Sequence, residues 1–162
     1  NIAPYSFFNA VAYVPPQVMF ASNGDKSDRG GTKDSVANIK ETREFCVNIV
    51  SYEMRHKMNA TSKTLPAHID EFELTGLTPI ASELVAPPRV KESPVHLECR
   101  HVQTIRLPHE DPTTANHVVI GKVVVVHIDD SVIIPMIDDT DYPPMNGEPY
   151  GICTDYPYLL KK

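Results

Sequence analysis

The chain is short of positive charge. Fifteen Lys and Arg stand against 21 Asp and Glu in 162 residues, a formal net charge of -6, with a pI near 5.6. Duplex nucleic acid is held chiefly by cations that neutralise phosphates, so no nucleic-acid partner is expected. Long apolar runs are missing as well. The longest approach, Val118 to Ile128, is interrupted by Gly121, Lys122 and His127, too short a stretch for a membrane-spanning helix, and no membrane partner is expected. Cysteine is scarce and odd in number. Cys46, Cys99 and Cys153 each lie in an apolar or aromatic stretch without framework spacing, which points to free thiols in a reducing, cytoplasmic compartment.

Several catalytic signatures are absent too. There is no Gly-x-Ser-x-Gly elbow for a nucleophilic serine. Gly30-Gly31-Thr32-Lys33 has the wrong order for a Walker A loop, and no Gly-x-Gly-x-x-Gly follows a strand. The densest metal-type cluster is His96-x-Glu98-Cys99-x-His101. On a strand His96 and Glu98 share one face while Cys99 and His101 share the other, so the four do not converge and no metal site is expected. A zinc deaminase would also need a Pro-Cys-x-x-Cys partner, which the chain lacks.

What is present is punctuation. Fifteen prolines and seven glycines separate short apolar runs in a chain that is 41% hydrophobic, the pattern of one mainly β domain with many turns and few helices. Phe7 to Val14 and Gln17 to Ser22 read as strands parted by Pro15-Pro16, and Glu44 to Val50 alternates as a third. Val95 towards Leu107 reads as a strand with a bulge near His101. Val118 to Ile128 is apolar on both alternating faces, as a central strand covered on both sides would be. Short helices are expected over Ser35 to Thr42, Tyr52 to Ser62 and Ile69 to Leu77, the last ended by Gly76 in a left-handed cap with Phe72 facing inward. From Asp129 to Leu160 seven acidic residues and five prolines occur without a Lys or Arg, so 131–162 reads as an extended arm laid on a partner subunit.

The polar loop from Ser22 to Lys33 carries Gly24, Gly30 and Gly31 and runs into a helix start that Asp34 or Ser35 would cap. Free backbone N–H groups, Arg29, Lys33 and the hydroxyls of Ser22, Ser27, Thr32 and Ser35 together describe an anion site. The same residues also describe a solvated surface loop ahead of a capped helix.

Longer motifs bear on that choice. Asn1-Ile2-Ala3-Pro4-Tyr5-Ser6, the Pro15-Pro16 pair ahead of Val18-Met19-Phe20, and Lys33-Asp34-Ser35-x-x-Asn38-Ile39 together resemble the flavin reductase-like family. Glu98-Cys99 matches a structural strand feature of that family, and Asn116-His117 followed by Gly121-x-Val123 is similar to its Gly-Asp-His-x-x-x-x-Gly-x-Val. The resemblance covers Asn1 to Asp130 and loosens after it, where Pro144-Met145-Asn146-Gly147-Glu148-Pro149-Tyr150 keeps one Gly and the Tyr of the family's Arg-Leu-Gly-Gly pattern and loses the Arg.

It implies an FMN-binding split β-barrel of Greek-key type with a few short peripheral helices, spanning 1–162 as one domain whose N-terminal strand would precede Asn1. It further implies FMN as cofactor and NADH or NADPH as cosubstrate, with no protein acid or base needed for the redox step. Asn1, Ala3, Pro4, Tyr5 and Ser6 would line the flavin. Ser22, Lys33, Asp34 and Ser35 would take the phosphate, Asn38 would brace that loop, and His117 would position nicotinamide. A homodimer is implied, and a reductase role beside a partner monooxygenase. Two alternatives remain open at this point: a flavoredoxin-like electron carrier, and a non-enzymatic flavin- or partner-binding barrel.

Overall fold

The computed structural model describes residues 1–24, 26, 31–111 and 114–133. The expected arm therefore lies almost entirely outside the described residues, apart from a single 3-10 turn at Asp130–Val132 whose cap is Asp129.

Five strands form one antiparallel sheet: β1 (Phe8–Tyr13), β2 (Pro16–Ser22), β3 (Glu44–Ile49), β6 (Val95–Leu107) and β7 (Asn116–Ile128). Their order is β1-β2-β7-β6-β3. The sheet is open, with β1 and β3 at its edges. A two-stranded ribbon, β4 (Pro79–Ile80) with β5 (Arg89–Val90), stands apart. Among the described residues there are also three short α-helices, α1 (Asp34–Thr42), α2 (Arg55–Ala60) and α3 (Glu71–Thr75).

The prolines act as expected, since Pro15-Pro16 turns β1 into β2 and Pro16 opens the second strand, where a missing N–H costs nothing to the ladder. The bulge near His101 is also found, as a register shift between His101 and Gln103 against β7, with a second shift between Glu98 and Cys99. β7 is central, as read, but its two faces differ. His117, Val119, Gly121, Val123 and Val125 are buried, whereas the alternate valines and Ile120 are only half covered in the single chain. Runs of β-branched residues do not by themselves say which face has a neighbour.

The core lies on the covered face. Val18 and Phe20 of β2, Val36 and Ile39 of α1, Phe45 of β3, Cys99 of β6 and Val119 and Val123 of β7 form one buried cluster. Phe20 and Phe45 meet edge to face with centroids 5.6 Å apart, although they come from strands three places apart in the sheet. That meeting needs Gly121, because a Cβ there would overlap Phe45 Cζ and stand 2.6 Å from its Cε1. A smaller cluster of Met54, Phe72, Leu77 and Val90 holds α3 beneath the ribbon. The helix over 52–62 is shorter than its pattern, starting at Arg55, with Met54 buried just ahead of it. Gly76 takes the left-handed cap of α3 at φ 62°.

Behind β6 sits a buried carboxylate. Glu98 is 0% exposed; it accepts the N–H groups of Glu83 and Leu84 at 2.8 Å each and lies 2.7 Å from His127 Nε2. Arg89 Nε stands 3.8 Å away. Burial alone would raise this carboxyl, but the two backbone donors and His127 outweigh it and hold Glu98 below the usual carboxylate range. Glu98 thereby fastens the loop of 81–87 to the sheet.

Candidate functional site

The N-terminal segment lies along the start of α1 and is tied down by a residue that no sequence motif singles out. Glu71 is buried in α3, and its two carboxylate oxygens accept from Asn1 Nδ2 at 3.2 Å and from the Ile2 N–H at 3.3 Å. Asn1 Oδ1 in turn accepts from Ser35 Oγ at 2.8 Å. Tyr5 packs its ring on Phe20 with centroids 4.5 Å apart. Burial raises the Tyr5 phenol above its ordinary pKa, opposed by the hydroxyls of Ser35 and Ser22 beside it. The sequence therefore brings Asn1, Tyr5, Ser22 and Ser35 to one seam. Tyr5 Oη and Ser22 Oγ are both buried there without a hydrogen-bond partner of regular geometry. Such groups cost about 1–3 kcal/mol each while unsatisfied.

Beside the seam is the helix start, where the structure corrects the expected capping. Lys33, in extended conformation, occupies the N-cap position, and no side chain caps the helix. Asp34 is turned to Lys26, 2.5 Å away, and Lys26 also reaches the Leu65 carbonyl. Ser35 is turned to Asn1. The start of α1 thus lacks a side-chain cap from its N-cap residue, the exposed Lys33. Ala3 and Ser6 are exposed and Pro4 half-buried along the same edge, and Asn38 lies half-buried on α1 one turn further on. These donors suit a phosphorylated aromatic ligand: hydroxyls and a cation at the helix start, and an apolar Tyr5-Phe20 wall behind.

His117 is not in this hydrogen-bonded seam, though it is adjacent. It pairs with Ser22 across β2 and β7 and with Arg106 across β6 and β7. β7 begins at Asn116, two residues earlier than the apolar run suggested, because the ladder extends into the polar residues. That places the imidazole inside the fold, 6% exposed, not at a solvated loop end. It borders a cavity of about 370 Å³ whose other side chains include Thr32, Lys40, Thr104, Arg106 and Thr114. Burial, and then the charges of Lys40 and Arg106, push His117 below the ordinary histidine value.

The residues of the dense His–Glu–Cys stretch serve the fold. His96 Nε2 lies 2.8 Å from the Val90 carbonyl, and His101 Nε2 lies 2.8 Å from Thr104 Oγ1. Cys99 is in the core, where burial raises its thiol far above the ordinary value, and Cys46 is raised to about 11 for the same reason. Both are free thiols. Glu71, Lys40 and Arg106 were not visible as site residues in the sequence: Glu71 reads as an ordinary first-turn acid, and the two cations as solvated strand and helix positions.

Comparison with known proteins bears on the fold that carries these residues. The model of the family described as "Flavin reductase like domain" matches residues 1–142. An uncharacterised protein of Aquifex aeolicus is 39% identical over 134 residues, 82% of this chain and 64% of that protein. Among solved structures, nitrilotriacetate monooxygenase component B from Bacillus cereus is 36% identical, covering 82% of this chain and 64% of its own, with a TM-score of 0.74. A protein of Shewanella frigidimarina described as a flavin reductase with a split barrel domain is 25% identical over 83% of this chain and 62% of its own, with a TM-score of 0.69. The chain spans less than two thirds of the length of each of these. The open five-stranded sheet with its short helices is the split-barrel fold of these neighbours.

Proposed function

The chain belongs to the flavin reductase-like domain family, and on that premise we propose that it binds FMN and acts as an NAD(P)H-dependent flavin reductase. The observation that carries this reading is the seam of Asn1, Tyr5, Ser22 and Ser35 beside an uncapped α1 start and the exposed Lys33. When bound, the flavin supplies the two-electron chemistry. Lys33 and the first-turn N–H groups of α1 hold the phosphate, with Asp34 kept from repelling it by its pairing with Lys26. Ala3, Pro4, Tyr5 and Ser6 form the wall that orients the ring, and Glu71 fixes that wall through Asn1 and Ile2. His117 orients nicotinamide from the far side of Ser22.

The working unit we propose is a homodimer in the cytoplasm. β1 and the residues flanking it present Phe7, Val11, Tyr13 and Val14 as exposed apolar side chains at a sheet edge, which a second copy would cover. No helix among the described residues is long and apolar enough to cross a membrane. A partner monooxygenase as electron acceptor is supported by the likeness to a monooxygenase component B.

The test is anaerobic stopped-flow mixing of the flavin-loaded protein with NADH or NADPH. Rapid bleaching is expected, and His117→Ala should slow it about 10- to 100-fold while FMN affinity stays within a factor of about two. Bleaching by dithionite but not by either nucleotide, with His117→Ala silent, would assign the protein instead as a flavoredoxin-like carrier.

A further inference from the structure

Asn23 and Gly24 follow β2 directly, where its ladder to β7 has ended with Ser22 opposite His117. Asn23 is exposed, and its side chain has no hydrogen-bond partner among the described residues. Gly24 stands at φ +81°, a conformation that suits glycine, and a Cβ built there would meet only Lys33 Cε, 4.0 Å away. The Gly24 amide nitrogen is therefore unshielded by a side chain, and it makes no backbone hydrogen bond among the described residues. The Lys33 ammonium lies one bond beyond that Cε and has no acidic partner among the described residues, whereas Lys26 is committed to Asp34. The other described asparagines lack this freedom. Asn9, Asn38, Asn48, Asn59 and Asn116 lie inside β1, α1, β3, α2 and β7, and Asn1 is bonded through both ends of its amide. None of them is followed by glycine.

An asparagine amide carbon is an electrophile, and the next peptide nitrogen closes a five-membered ring on it wherever the backbone is free to bend. We propose that Asn23-Gly24 is a self-modifying site assisted by Lys33, at which the Gly24 nitrogen displaces ammonia from the Asn23 amide and water opens the resulting succinimide to an aspartyl or isoaspartyl carboxylate. Water is the only co-reactant. The bond from the Gly24 nitrogen to Asn23 Cγ forms as the N–H proton passes to solvent base, and the Cγ–Nδ2 bond breaks as the leaving nitrogen takes up a proton. Hydrolysis of either imide carbonyl then restores one peptide link and leaves one carboxylate. Lys33 serves twice, its ammonium stabilising first the amide anion that attacks and then the carboxylate that results. The consequence falls on the anion site, because a new negative charge there occupies the cation assigned to the flavin phosphate; in that respect the inference rests on the function proposed above. A site open to phosphate is closed as the molecule ages.

The full chain is aged in mildly alkaline buffer made with heavy-oxygen water, digested and sequenced by mass spectrometry. Label together with isoaspartate is expected at position 23, since direct hydrolysis of the amide leaves no isoaspartate. Lys33→Gln should slow its appearance about 2- to 10-fold. The chain's other Asn-Gly pair, Asn146-Gly147, is the control for the chemistry in the same digest. Label there but none at position 23, or an unchanged rate in Lys33→Gln, overturns the proposal. Titration with FMN and riboflavin reads the consequence. Asn23→Asp, and the aged parent in proportion to its label, should bind FMN about 3- to 30-fold more weakly with riboflavin unchanged. Aged Asn23→Gln should keep its FMN affinity, because the six-membered ring that glutamine needs closes far more slowly. FMN affinity unmoved by Asn23→Asp overturns the link to the anion site. A parent that binds no FMN sinks the flavin reading instead, and the labelling result alone then decides the modification.

Discussion

Removing the phosphate grip without disturbing the ring wall is the sharpest test of the flavin site. Lys33→Ala deletes a side chain that is exposed and takes no part in capping α1, so the fold should not register the change. The loss is one charge-assisted hydrogen bond, about 1.5–3 kcal/mol before solvent screening. Adding Ser35→Ala takes away the hydroxyl that donates to Asn1 Oδ1 and braces the ring wall, worth about 1 kcal/mol to either flavin. The double variant should then bind FMN more weakly by about 2–4 kcal/mol, roughly 30- to 1,000-fold in Kd. Because that hydroxyl holds Asn1, the loosened wall should cost riboflavin about 0.5–1.5 kcal/mol in any variant lacking Ser35. Lys33→Ala alone should therefore leave riboflavin untouched, and the difference between the two ligands isolates the phosphate. Flavin fluorescence quenching, titrated with FMN and riboflavin in parallel, reads both numbers. Equal loss for both ligands in Lys33→Ala would refute the phosphate assignment, as would a parent that binds neither.

Two further expectations concern the scaffold. Glu98→Gln should lower unfolding free energy in urea by about 3–5 kcal/mol, because the amide must set a donor against one of the two backbone N–H groups and leaves His127 without its carboxylate; a change below about 1 kcal/mol would mean the carboxylate does not fasten the loop. Because the folded Glu98 carboxyl is held below its unfolded value, its contribution is full above the ordinary glutamate value of 4.5 and disappears as pH falls through the lower folded value. The parent should accordingly lose more stability than Glu98→Gln between neutral and strongly acidic pH. Tyr13→Asp with Val14→Asp, on the exposed β1 edge, should weaken self-association at least about 10-fold by light scattering, as expected for charges placed in an interface burying about 1,000 Å² or more; a parent that is monomeric at micromolar concentration with FMN bound removes this face from the dimer.

Much of this architecture is legible in the sequence because local chemistry dictates it. Pro15-Pro16 can only end a ladder, Gly76 supplies a left-handed cap, and Val118 to Ile128 is too apolar for an edge. The strand bulge was legible from the break in alternation near His101. The corrections arise where contacts are remote in sequence. Asp34 and Ser35 are good capping residues, yet each is drawn off by a partner, Lys26 and Asn1 respectively, and Lys33 is left at the cap position. Glu71 meets Asn1 across seventy positions, and Lys40 lines one cavity with Arg106 only because α1 packs against β6. Neither juxtaposition leaves a local pattern.

Phe45 and Gly121 are locked together by the same kind of remote contact, and the lock restricts what relatives of this chain are free to become. Position 121 sits mid-strand, where a β-branched residue is ordinarily favoured, yet any side chain there meets the Phe45 ring and the Cys99 Cβ. A lineage can therefore not alter either position first without passing through a clash or a void. The two should drift as a pair, so that an alignment of relatives shows a side chain at 121 only where the aromatic at 45 has shrunk.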